Sequence, residues 1–201
     1  MYSIITKDGR LENAFTYQQF MELAKQKAEA VTQGKQVSED PSQDEHRPLN
    51  IQRAGRVEKT TELTPELAEI VQKIDATQHW VVITEDWCGD SAQNLPVLHM
   101  IASANPIIRF SILERDKNPD LIDMYLTNGT RSIPILVAFN ETGEEIFKWG
   151  PRPAAAAEII RQAKAEGLEK EEMYNKLHLW YAKDRGKHLQ AEFVTLLKSL
   201  R

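Results

Sequence analysis

The chain holds one cysteine, Cys88, within Glu85-Asp86-Trp87-Cys88-Gly89-Asp90-Ser91. It stands where a buried-strand pattern, Trp80-Val81-Val82-Ile83-Thr84, gives way to a helical pattern over 88–104. A helix start presents unpaired N–H groups and a partial positive charge, which favour a thiolate. The thiolate is the nucleophilic form of cysteine. Ser91 lies three residues on, so one helical turn brings its hydroxyl to the side of the sulfur, where it can donate a hydrogen bond. Asp90 works the other way, because a nearby carboxylate raises a thiol pKa. With one cysteine no internal disulfide can form, so disulfide chemistry here must involve another molecule. Glu85 and Asp86 are expected in a solvated loop, from which they could tune the thiol or read a basic substrate. Arg115 and Arg131 could restore thiolate character if they approach the sulfur.

The elements that must position this segment follow from patterning. Residues 14–31 form an amphipathic pattern, with Thr16 as N-cap and Phe15, Phe20, Leu23 and Val31 on the apolar stripe. A polar stretch from Thr32 to about Thr60 reads as a solvated linker or arm. Thr64-Pro65-Glu66 is a helix start, with a capping Thr, Pro in the first turn and an acid beside it. Apolar strands are expected at 80–84, 107–113 and 133–139, the last with Pro134 near its start. Between the second and third, Asn118-Pro119-Asp120 opens a short helix that ends at Asn128-Gly129. Asn140-Glu141-Thr142-Gly143 turns the chain into a return strand over 144–149. An Ala-rich helix then reaches about Glu166. Strands alternating with helices predict a mostly parallel sheet, with the final hairpin making one edge antiparallel. Two further helical patterns, 168–183 and 187–200, follow Gly167.

Composition bounds the alternatives. The 201 residues carry a net charge of −5 and are 41% apolar. That is a globular composition, long enough for a sizeable core, and its acidity argues against a general nucleic-acid binder. The first 15 residues lack the apolar core of a signal peptide, and no apolar run approaches membrane-spanning length. The expected compartment is therefore the reducing cytoplasm. The five histidines show no zinc-ligand spacing, and no glycine-rich phosphate loop or Gly-x-Ser-x-Gly motif occurs. Neither a metal nor a cofactor is expected.

Trp87-Cys88-Gly89 after a strand, with Ser132-Ile133-Pro134 about 45 residues later, resembles the thioredoxin family. The family pattern is Trp-Cys-Gly-Pro-Cys with a cis-proline opposite the site. Asp116-Lys117-Asn118-Pro119 and the turn at 140–145 strengthen the resemblance, which spans about residues 64–166. Glu-Asp-Trp-Cys-Gly-Asp followed by Asn-Leu-Pro resembles a bacterial subgroup of thioredoxin-like proteins. The resemblance implies an α/β three-layer sandwich, a mixed sheet with helices on both faces. To this are added an N-terminal helix and polar arm (1–62) and a C-terminal helical extension (167–201) packed on the domain (63–166). It also implies a hydrophobic rim at Trp87, a substrate groove along Gly89 and Asp90, and a cis Pro134 whose neighbour Ile133 pairs with an extended peptide.

The departures from the pattern agree with one another. Ser91 stands where the family has its resolving cysteine, and Asp90 where it has proline. Val82 and Ile112 stand where it has a buried acid and the lysine that partners it. A chain without a resolving thiol has no use for the base that activates one. The expected chemistry is monothiol thiol–disulfide exchange, with Cys88 as nucleophile, Ser91 as thiolate donor and a protein or small-thiol disulfide as substrate. The alternative is a non-catalytic peptide- or protein-binding module on a degenerate thioredoxin fold. A peroxide-sensing thiol and an iron–sulfur site are weaker readings. The Gly-Gly and Cys-Asp segment with which glutaredoxins hold glutathione is absent after Pro134.

Overall fold

The computed structural model describes residues 11 and 13–200, so part of the expected N-terminal arm lies outside the described residues. Helices α1 (Tyr17–Thr32), α2 (Pro41–Asp44) and α3 (Arg47–Thr60) precede α4 (Pro65–Gln72) and strand β1 (Gln78–Thr84). Then come α5 (Gly89–Ser103), β2 (Ile108–Glu114), the short α6 (Pro119–Ile122) with a 3-10 turn (Asp123–Tyr125), β3 (Ile135–Asn140) and β4 (Glu145–Trp149). Helices α7 (Ala154–Ala165), α8 (Lys170–Asp184) and α9 (Lys187–Ser199) complete the chain.

The helix starts follow their caps. Thr16 and Gln19 form a reciprocal capping box on α1. The Thr64 hydroxyl accepts the Leu67 amide at the head of α4. Strand order is β2-β1-β3-β4, a mixed four-stranded sheet. The expectation of a mostly parallel sheet is corrected: only β1 and β2 run parallel, while β3 is antiparallel to both β1 and β4. The reason lies between β2 and β3. That segment has only short helices and a reversal at Asn128–Gly129, both at positive φ, so β3 enters from the opposite end.

Alternating strand residues feed two cores. One face carries Trp80, Val82, Ile112, Leu136, Ala138 and Phe147, covered by α1, α4, α5 and α9. The other carries Val81, Ile83, Leu113, Ile135, Val137 and Phe139, covered by α6 and the 3-10 turn. Helices therefore lie on both faces. Val82 and Ile112 are register partners in the parallel pair and fully buried, so an apolar pair stands where the resemblance implies an ionic one.

Residues 32–60, expected as a solvated linker, contain two helices. Helix α3 buries Arg47, Asn50, Ala54 and Val57. Polar burial, invisible to apolar periodicity, drives this: Arg47 binds the Asp44 carboxylate at 3.0 Å and pairs with Asp86. The last helix is core as well. The Phe193 ring is fully buried, with centroids 5.7 Å from Trp80 and 5.9 Å from Trp149. Gln190 ties the same helix to the start of α4, accepting the Thr64 amide at 2.8 Å and donating to the Glu62 carbonyl at 3.0 Å. Phe193→Ala is expected to lower unfolding free energy by about 3–5 kcal/mol with little change in the urea m-value. A loss below about 1 kcal/mol in urea titration would show that α9 only decorates the domain.

Candidate functional site around Cys88

Strand β1 ends at Thr84, and Cys88 takes an extended conformation that caps α5. The intervening loop is fixed from two sides. The Glu85 carboxylate accepts the Asp116 amide at 2.8 Å. Asp86 pairs with Arg47 and lies 3.5 Å from Lys27, and its carbonyl accepts from Asn50 Nδ2 at 3.2 Å. The expectation of a solvated loop is thus corrected: the Glu85 and Asp86 side chains are buried and face the fold. Burial, reinforced by the neighbouring carboxylates of Asp116, Glu114 and Asp86, pushes the Glu85 carboxyl up to about 7, although the Asp116 amide opposes the shift.

Cys88, Trp87 and Ile133 pack together at the edge of the second core, and Cys88 keeps partial solvent exposure. The thiol donates to the Ile133 carbonyl at 3.4 Å, and the Ile133–Pro134 bond is cis. This segment is backed by Gly150 at φ +124°, where any Cβ would collide with the Pro134 carbonyl oxygen. Ser91 is buried, and its hydroxyl accepts from Thr84 Oγ1 at 2.5 Å. The Ser91 proton is then free for the sulfur, giving a chain Thr84 to Ser91 to Cys88. Of the two arginines considered, Arg115 stacks on Trp87 at 4.7 Å, while Arg131 pairs with Asp123 at the surface.

Asp90, expected along a substrate groove, instead points its carboxylate at residues of the C-terminal half. Its two carboxylate oxygens accept from Arg152 Nη2 at 2.5 Å and Tyr181 Oη at 2.6 Å. Asn94 donates to the Asp90 carbonyl at 2.8 Å and to the Tyr181 hydroxyl at 3.0 Å. Helix α8 also reaches Gly89. A Cβ there would lie 2.8 Å from His178 Cε1, so this glycine admits the chain's own imidazole. Burial pushes His178 down to about 4, helped by Arg53, Arg56, Arg152 and His46, so the ring is neutral at physiological pH.

The electrostatic outcome opposes an activated nucleophile. Burial first, then the Asp90 carboxylate, push the Cys88 thiol up to about 11. The Ser91 hydroxyl and the Ser91 and Asp90 amides favour the thiolate and limit the rise. Several residues singled out in sequence do lie together: Trp87, Cys88 and Ile133 pack at the edge of the second core, Pro134 follows in a cis bond, and Ser91 is buried beside the sulfur. Sequence reasoning missed Thr84, Arg53, Arg152, His178 and Tyr181. Thr84 stands seven residues before Ser91 at the end of an apolar run, and the others are remote in sequence, so no local spacing links them to Cys88. Ser91→Ala is expected to raise the alkylation inflection of Cys88, and Thr84→Val to raise it less. Iodoacetamide rates against pH measure both, and equal rates in all three proteins would dissolve the hydroxyl chain.

Among the described residues no helix is long and apolar enough to cross a membrane, and no cluster of three or more His, Cys, Asp or Glu side chains could hold a metal. No curated protein matches the sequence. Two solved structures show the same fold. A protein of unknown function from Pseudomonas aeruginosa, PA1234, has 18% identity and a TM-score of 0.62, covering 95% of this chain and 96% of that one. An HIV epitope-scaffold has 19% identity and a TM-score of 0.55, covering 75% and 86%. The family model described as thioredoxin matches residues 34–164, more than half the sequence, and the chain belongs to the thioredoxin family.

Proposed function

We propose that this chain is a single-cysteine thioredoxin-like protein, of the bacterial subgroup its motif resembles, that performs monothiol thiol–disulfide exchange at Cys88. The observation that carries this reading is the sulfur's position, 3.4 Å from the carbonyl that opens the cis-proline segment. An extended disulfide laid along Ile133 and Pro134 would present a sulfur to Cys88 there. The thiol loses its proton to solvent. Its sulfur then forms a bond to one substrate sulfur while the substrate S–S bond breaks, and the released thiolate takes up a proton. A small cellular thiol of the reducing cytoplasm attacks the mixed disulfide, restores Cys88 and leaves as a disulfide. The substrate is a protein or small-thiol disulfide, and the reaction draws on no metal or cofactor.

A second reading, a non-catalytic peptide-binding groove, draws on the raised thiol. Both readings are separated by one profile. For an exchanging thiol with a pKa near 11, the rate with a neutral alkyl disulfide climbs about tenfold per pH unit across pH 7–10, where an ordinary thiol levels off above about 8.5. Asp90→Asn removes the negative charge while keeping a hydrogen-bond acceptor for Tyr181. It should lower the inflection, by about 1–2 units if Asp90 acts as one nearby charge at an effective dielectric of about 20. Failure of both proteins to form a mixed disulfide at pH 9, with peptide binding intact in Cys88→Ala, would retire exchange in favour of the groove.

A further inference from the structure

Helix α3 and the Arg152 loop bring three guanidinium groups around the first turn of α5. A Cβ at Gly89, the residue next to Cys88, would lie 3.5 Å from Arg53 Nη1. Arg56 Nη2 reaches the same helix at Gln93 Oε1, 2.8 Å away, and Arg152 holds Asp90. His178 sits among them, with Gln93 Nε2 3.3 Å from its Nδ1. The charge balance is lopsided. Asp90 is the buried acid at this spot, and Arg152 and Tyr181 occupy both of its oxygens. Among the described residues, Arg53 and Arg56 bind only side-chain amides, Asn50 Oδ1 at 2.9 Å and Gln93 Oε1 at 2.8 Å, and neither forms an ion pair. Arg152 Nε is buried without an acceptor. Both α3 arginines remain partly exposed, and the exposed Tyr174 hydroxyl lies against Arg152.

Like charges held together without a counter-ion are costly, and an arriving anion relieves the repulsion. Burial and the neighbouring Arg56 disfavour the charge on Arg53 and outweigh the nearby Asp90 carboxylate, whose oxygens are already taken by Arg152 and Tyr181, so the cluster is only partly neutralised. The chain as a whole carries −5, so the patch is a local reversal of its field rather than part of a general basic surface.

We propose that Arg53 and Arg56, with Arg152 behind them, form an anion-recognition rim that selects carboxylate-bearing disulfides and thiols for Cys88. The planar guanidinium forks suit carboxylates, which they can bind through paired hydrogen bonds. The chemistry of this assignment rests on the exchange reading; the binding does not.

Three alkyl disulfides of different charge separate the two, their unequal leaving groups being cancelled by a reference reaction: 4,4′-dithiodibutyrate (dianionic), bis(2-hydroxyethyl) disulfide (neutral) and cystamine (dicationic). Rates of mixed-disulfide formation at Cys88 are normalised to those of a small reference thiol. At low ionic strength the dianion is expected to react at least about tenfold faster than the neutral disulfide, and cystamine slower. Raising salt to 0.5 M should compress the ratio, as should Arg53→Gln/Arg56→Gln, whereas Arg53→Lys/Arg56→Lys should retain most of it. The ratio within one variant cancels any general loss of folding. In parallel, Cys88→Ser is titrated with 4,4′-dithiodibutyrate and followed by the amide shifts of Gly89–Ser91. Saturable binding that is lost with the Gln pair supports the rim even if the wild type reacts with none of the three. Equal normalised rates with no saturable binding would overturn the rim and leave exchange standing.

Discussion

A carboxylate buried at the start of a helix organises this molecule. Asp90 lies in the first turn of α5, where an acid is favoured by the helix field, but it is also removed from water. Such a charge persists only with partners, and these come from far along the chain: Arg152 beyond the sheet and Tyr181 on α8. Satisfying one side chain therefore docks the C-terminal half against the cysteine. The same carboxylate raises the thiol beside it, so the interaction that seats α8 also quiets Cys88.

The loop before the cysteine is held by the opposite end of the chain. Arg47 joins Asp44 to Asp86, Lys27 bridges Asp86 and Glu114, and Asn50 binds the loop backbone. These contacts are polar and mostly buried, so their geometry specifies the loop more than it stabilises the fold. The N-terminal helices and α8 thus flank the cysteine from two sides, which explains how residues outside the resemblance contribute to its surroundings.

The fold was readable because its cues are local. Apolar runs marked β1 and β2, Thr64-Pro65 marked a helix start, and Asn140–Gly143 marked a hairpin. Strand direction was not readable, because β3's orientation depends on a reversal at Asn128–Gly129 rather than on its own residues. Helix α3 escaped because its buried side is Arg47, Asn50, Ala54 and Val57, a face with little apolar signal. At the site, Cys88, Trp87 and Pro134 were legible from a motif. The charges that set the thiol's character were not: Asp90's partners lie 62 and 91 residues away, a separation no periodicity encodes.

The apolar pair Val82–Ile112 limits what a single substitution at this site can achieve. The two side chains face each other across β1 and β2 in a fully buried core, where the resemblance places an acid and a lysine. A lone acid or a lone lysine at either position would be an unpaired buried charge, costing several kcal/mol. A cysteine introduced at position 91 would meet no base beneath it and a carboxylate beside it. Each single step toward a dithiol enzyme is disfavoured until the others are in place. A second cysteine at position 91 would therefore need accompanying substitutions at positions 82 and 112 before it found an activating base.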